Sequence, residues 1–593
     1  MRPSAPLRSL SLALAGLVTL APACAEDAEA PPEVEIDENY GKPLFGVDDS
    51  VAAKADSFEG ASGPPSSGLV AANAAWTVSR QWADKDDAAG LAWPARSGLT
   101  WDEKYARWIE SLPKLEGGWS ETFTLTTPWG KTLASPRLEC AEVAIFLRFT
   151  FASWYNLPFY LTASSSAGTM YFGHFGVINK SGARVSGYPA FTRDYKDHTS
   201  AFAGKTNEQI VAAWPKDTNL RARKLSTRGD DDNSAILGPG AFTGAYLDEI
   251  FLNKRAAHLL MRVLVNFGSI HLASVQNTFN IKPSATREGD TLLERWQRSG
   301  IGHTVVVKDV TALGGDKLAI ETIFGSMPRI QPTWYDTNLS KSYFTSEYTG
   351  GEGLNTDGHK YAALGGGIKR WRTPVVKSGR WYMVVPVADR AVFVDAADLV
   401  AIAARPAQFD AIMGELTPDE ERDILLQRID IARDALESRP ASCSNRTRRE
   451  EAFTELYELM AAEFDMSKEE VDRRYRILDD YVMPEMVYNK SKTCCWNSTT
   501  SAMYLIVMQM NHERVANEVE GQCQEPVPFY NDNGYKVFAD YAASIGRGAD
   551  WKAWTADESC PQATVATDTE AEHAWAPFCS VRDDVLENTD ISE

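Results

Sequence analysis

Ser135-Pro136-Arg137-Leu138-Glu139-Cys140, running on through Ala141-Glu142-Val143-Ala144 to Trp154, is the stretch on which the fold reading turns. Serine followed by proline is a helix-start signal, the serine as N-cap and the proline at a first helical position. Val143, Ala144, Leu147, Phe151 and Trp154 then recur at three- and four-residue spacing, which predicts a helix with one apolar stripe, ending before Asn156-Leu157-Pro158. Cys140 is therefore expected early on a buried helix. Free backbone N–H groups and the positive end of the helix dipole at such a position are expected to lower its thiol pKa.

A thiol nucleophile needs a base. His303 stands in Gly300-Ile301-Gly302-His303-Thr304-Val305-Val306-Val307, after Gly289-Asp290-Thr291-Leu292-Leu293 and ahead of a β-rich run to Val310. Gly314-Gly315 supplies a turn and Lys317 to Phe324 reads as the return strand, so His303 is predicted at the start of a hairpin. Glu321 on that return strand is the acid expected to orient the imidazole, with Thr322 and Ser326 as substitutes because the register is open. His174, in Gly173-His174-Phe175, is a competing base.

A cysteine opening a helix, Gly-Asp before a strand, Gly-His before another and an acid on the next resemble the papain-like NlpC and CHAP amidase and endopeptidase group, over Pro136 to Leu161 and Glu288 to Pro328. The resemblance implies an α+β, papain-like thiol hydrolase core. It further implies Cys140 as nucleophile, His303 as general base, Glu321 as orienting acid and hydrolysis of peptide or amide bonds in cell-wall peptides. The long stretch between Cys140 and His303 then has to be a large insertion. Glu139-Cys140-Ala141-Glu142 through Asn156-Leu157-Pro158 is also similar to a transglutaminase-like core, which implies acyl transfer through the same thioester. A non-catalytic surface interaction protein on such a scaffold is the alternative from another class.

Export frames these readings. Arg2 and Arg8, the apolar run Leu10 to Leu20 and Ala21-Pro22-Ala23 make residues 1–24 a bacterial signal peptide. Cys24 directly after a small residue fits lipoprotein processing, so the expected membrane link is a lipid anchor there; the alternative is a released periplasmic or secreted protein. Residues 25–67, acidic and rich in Pro, Gly and Ser, are predicted to be a disordered tether. The 593-residue chain is 44% apolar and 24% charged, a globular composition, and its formal charge of −21 argues against a nucleic-acid partner.

Six of the eight cysteines fall after residue 440: Cys443, Cys494, Cys495, Cys523, Cys560 and Cys579. In an oxidising compartment they predict three disulfides of open connectivity, with the adjacent Cys494 and Cys495 bonded to different partners. Cys140 is left alone once Cys24 is processed. Residues 68–408 are expected to be the α+β catalytic-type domain. Residues 409–593 are expected to be a disulfide-stapled helical one, with capping boxes at Thr417-Pro418-Asp419-Glu420 and Ser467/Glu470. No cofactor and no metal are expected, and the oligomeric state is open. Three minor candidates are Cys495-Trp496 with His573 as a second thiol site, Asp230-Asp231-Asp232-Asn233 as a calcium loop or solvated turn, and Lys369 to Tyr382 as a glycan or anion surface or packed strands.

Overall fold

Thirteen residues of β10, Gly302–Gly314, carry the predicted hairpin, and β11, Lys317–Phe324, returns from it antiparallel. Gly314 and Gly315 both take positive φ (104° and 58°), which lets a tight turn follow the strand twist. This computed structural model describes residues 62–589 except 68–72, 89–94, 116–120, 166–167, 227–228, 299–301, 356, 488–490, 497–498, 517–521, 531–533 and 554–567. The predicted signal peptide, Cys24 and most of the tether lie outside the described residues. The tether's last part is corrected: Ser62–Pro65 is a strand, β1, paired with Arg380–Val384, β15.

In chain order the other strands are β2 (Lys114–Leu115), β3 (Thr122–Thr126), β4 (Thr132–Ala134), β5 (Tyr160–Ser165), β6 (Gly168–Gly173), β7 (Gly176–Asn179), β8 (Thr278–Ile281) and β9 (Thr291–Arg295). After the hairpin come β12 (Thr333–Tyr335), β13 (Gly367–Trp371), β14 (Thr373–Lys377) and β16 (Phe393–Val394). The largest sheet has seven strands in the order β12-β11-β10-β9-β13-β8-β16; three-stranded sheets β1-β15-β14, β2-β3-β4 and β5-β6-β7 surround it. The architecture is mixed α+β.

Helix α1 (Trp101–Ser111) starts from a Thr100/Glu103 capping box. Helix α2 (Cys140–Trp154) begins four residues later than the Ser-Pro signal suggests, with Glu139 as N-cap. Ser135 is instead buried and bonded to the Thr122 hydroxyl, and Leu138 makes a bridge with Ile330 that keeps the approach extended. Every residue from Ala141 to Ser153 is buried, so α2 is a core helix wrapped on all sides and not one with a single stripe. The stretch between α2 and β8 holds the β5–β7 meander and a run of helices, including Lys254–Asn266, which packs on α2.

The sheet's two faces serve two cores, as the alternation of a strand requires. Leu293, Val306 and Ile323 join α2 in one core; Leu292, Val305, Val307 and Phe324 join Leu339, Phe409, Met413 and Ile424 in the other. Helices beyond Arg405 therefore rest directly on the sheet. Both predicted capping boxes form, at Thr417/Glu420 and Ser467/Glu470.

Disulfides Cys443–Cys494 and Cys523–Cys579 staple the helical region and accord with an extracellular or periplasmic protein; Cys560 lies outside the described residues. Among the described residues no helix is long and apolar enough to cross a membrane. Cys523 and Cys579 are 56 residues apart, and replacing both by serine is expected to lower unfolding stability by about 2–4 kcal/mol. Denaturant midpoints of the oxidised variant and parent would measure this; equal midpoints would mean the bridge does not constrain the unfolded chain.

Candidate functional site

β11 stops at Phe324, and Gly302 to Val305 pair only with β9 among the described strands. The approach to α2 occupies the neighbourhood that β11 leaves. Gly325 permits this, since a Cβ there would lie 2.3 Å from the Leu138 carbonyl oxygen. Cys140, the first residue of α2, points its sulfur at the Gly302 carbonyl oxygen, 3.9 Å away, and the Thr304 N–H also faces it. The thiol thus meets the backbone on both sides of His303.

His303 is 7% exposed, and its ring packs on Phe324 and Tyr343 at centroid distances of 5.2 and 5.6 Å. Its Nε2 has no hydrogen-bond partner. No hydrogen bond joins Cys140 to His303 among the described residues. Burial, and then the Arg448 charge, drives the imidazole well below its ordinary pKa.

Glu321 does not reach His303. The hairpin register sets it opposite Asp309, six residues along β10 from His303, or roughly 20 Å at about 3.3 Å per residue. There its carboxylate accepts from Trp334 Nε1 at 2.7 Å. Thr322, one substitute, pairs with Val307 and bonds the Ser340 hydroxyl. The carboxylate that does sit beside His303 is Glu294, its direct register partner on β9. Glu294 is 7% exposed and held by Arg448 at 3.1 Å; burial raises its pKa against the pull of Arg448 and the Ser346 hydroxyl. The sequence contains its signal, an acid closing the strand before His303. Glu294, Tyr343 and Arg448 line a cleft of about 850 Å³ between the sheet and the Pro418–Ser438 and Cys443–Glu463 helices.

Under Cys140 lies a charged knot. Arg329, 2% exposed in its side chain, pairs with Glu142 (2.7 Å), Asp230 (3.1 Å) and Glu139 (3.3 Å). Burial lifts Glu139 to about 7 in spite of Arg329. The Cys140 thiol is pushed up to about 12, first by burial and then by the Glu139 charge, while the N–H groups of Thr304 and Ala141 pull weakly the other way. The expected lowering by the helix N-terminus is therefore overturned: desolvation and a neighbouring carboxylate outweigh it.

His174 is a buried structural residue, its Nδ1 3.0 Å from the Phe159 carbonyl oxygen, with burial taking its pKa down to about 4. The Asp230–Asn233 run is solvated only at Asp232, which is exposed and accepts from Ser234 N; Asp230 pairs with Arg329, and Asp231 accepts from Leu225 N and Thr243 N. Trp496 is core, and the His573 ring stacks on Trp575. Lys369 to Tyr382 forms β13, β14 and part of β15. Among the described residues no three His, Cys, Asp or Glu side chains are grouped as a metal set. No known protein family, curated protein or solved structure matches the chain.

Proposed function

We propose that this is an exported cysteine-dependent hydrolase of peptide or amide bonds, with Cys140 as nucleophile, His303 as base and Glu294, in place of Glu321, as the acid that orients the base. What carries the reading is the Cys140 sulfur at the start of α2, held against the backbone on both sides of His303, with Glu294 directly across from the histidine. Both partners are neutral at rest, so the thiol proton passes to His303 as the thiolate attacks the substrate carbonyl. In this reading the Cys140 backbone N–H stabilises the oxyanion. The amine leaves with the proton from His303, and water, deprotonated by His303, releases the acid from the thioester. Location makes cell-wall peptide the default substrate, and lipid anchoring through Cys24 belongs to the same proposal. An amine acceptor in place of water would make the enzyme an acyl transferase.

A second reading, a non-catalytic binding protein on this scaffold, is favoured by one observation: burial opposes the charged form of both Cys140 and His303. Iodoacetamide labelling of the oxidised folded protein separates the two. The hydrolase reading expects modification of Cys140 before unfolding. It also expects hydrolysis of amide-linked peptides that falls about 10²-fold or more in Cys140→Ser and His303→Ala. Glu294→Gln should lower the rate while Glu321→Gln leaves it unchanged. Labelling only after unfolding, or full activity in Cys140→Ser, would sink it.

A further inference from the structure

Lys369 lies in the interior of the seven-stranded sheet, on β13 between β8 and β9, and is 2% exposed. Its register partners are Asn280 on one side and Thr291 on the other. Direct partners of neighbouring strands share a face, so the three side chains form a row across three strands. All three residues are buried, and among the described residues no hydrogen bond or ion pair involves the Lys369 ammonium, the Asn280 amide nitrogen or the Thr291 hydroxyl. Asn280 uses only its oxygen, which accepts from Arg405.

The surroundings add positive charge. Arg405 is 1% exposed, and its guanidinium fills the space that a side chain at Gly367 would need: a Cβ there would meet it at 2.2 Å. That puts a second cation two residues from Lys369 on the same strand. Arg405 donates to the Gly366 and Ile368 carbonyl oxygens and to Asn280, its Nε is unpartnered, and no carboxylate pairs with it. Arg372 donates only to the carbonyl oxygens of Val275, Thr278 and Met383. Burial, and then the like charges of Arg405, Arg295 and Arg372, drives the Lys369 ammonium well below its ordinary pKa. Elsewhere in the same sheet the opposite arrangement holds, with Arg370 on β13 meeting Asp290 at 2.7 Å and Asp389 at 2.6 Å. Buried cations without a counter-charge are costly, and a row of unused donors beside them is what a compact anion satisfies.

We propose that Lys369, Asn280, Thr291 and Arg405 form a buried binding site for a small inorganic anion, which acts as a structural ligand of the central sheet. The anion accepts from the Lys369 ammonium, the Asn280 amide, the Thr291 hydroxyl and the Arg405 Nε–H, and neutralises the charge that the fold leaves unmatched. This site uses none of Cys140, His303 and Glu294 and does not depend on the hydrolase reading.

The test is thermal unfolding of the full chain after exhaustive dialysis into a gluconate buffer, followed by titration with sodium phosphate, sulfate or chloride at constant ionic strength. The expected result is a saturable rise in Tm of about 3 °C or more with at least one anion, the effective one identifying the species. The rise should be abolished in Lys369→Met. Thr291→Val removes one donor and no charge, so it should fold and shift the titration midpoint several-fold to higher anion concentration. Absence of any anion-specific rise in the parent overturns the proposal, as does an unchanged titration in both Thr291→Val and Lys369→Met. If Lys369→Met does not fold, the Thr291→Val midpoint decides alone.

Discussion

Replacing Arg329 by methionine is expected to destabilise the fold by about 3–5 kcal/mol at neutral pH, because the guanidinium is the cation shared by Glu142, Asp230 and Glu139. Methionine approximates the volume and leaves those carboxylates facing one another. The loss should depend on pH with a definite sign. Glu139 and Glu142 already have folded pKa values raised above 4.5 with the arginine present, Glu139 to about 7. Such groups hold more protons folded than unfolded, so their contribution to stability falls as pH rises from 4.5 through 7. Without Arg329 they rise further, and the variant should recover stability on acidification more than the parent does. Denaturant unfolding at pH 7.5 and at pH 5 measures both effects. A deficit below about 1 kcal/mol at pH 7.5, or one that widens at pH 5, would contradict the account.

Phe151→Ala is expected to cost a comparable amount, about 3–5 kcal/mol, through lost burial and the cavity left behind. Phe151 is fully buried on α2, with ring centroids of Tyr155 at 4.9 Å, Tyr105 and Trp108 at 5.4 Å, Trp82 at 6.1 Å and Trp101 at 6.2 Å. It holds α1 and the segment before it to the core helix together with Arg148, which pairs with Asp102 at 3.0 Å. Phe151→Leu keeps most of the volume and should cost less than about 1.5 kcal/mol. Denaturant midpoints rank the two, and tryptophan fluorescence of the folded state should change in the alanine variant. Equal midpoints for alanine and leucine would mean that the aromatic cluster collapses onto the gap.

The elements around the site were largely legible because local patterns decide them. The β10 and β11 hairpin follows from alternating apolar residues and a Gly-Gly turn, and the end of α2 from its run into Asn156-Leu157-Pro158. Its start was not, because Ser135-Pro136 is a sound local start signal that a non-local bridge from Leu138 to Ile330 overrides. Glu321 was misjudged for a related reason. Strand pairing follows the sum of two positions, and moving away from the turn along β10 leaves Glu321 behind while bringing Glu294 level with His303. Asp230–Asn233 looks solvated by composition; Asp230 is instead paired with Arg329, 99 residues away in the chain, Asp231 is buried on the Leu225 and Thr243 N–H groups, and only Asp232 is exposed.

The sequence by itself determined the α+β class, the helix that carries Cys140 early in its run, the strand that carries His303 and the stapling of the late cysteines. Each rests on periodicity, turn chemistry or cysteine count, all readable within a short window. Only the tertiary structure decided which carboxylate stands beside the histidine, that the thiol is neutral, and that cations collect around Lys369. Register and desolvation set those, and both depend on which distant segments pack together.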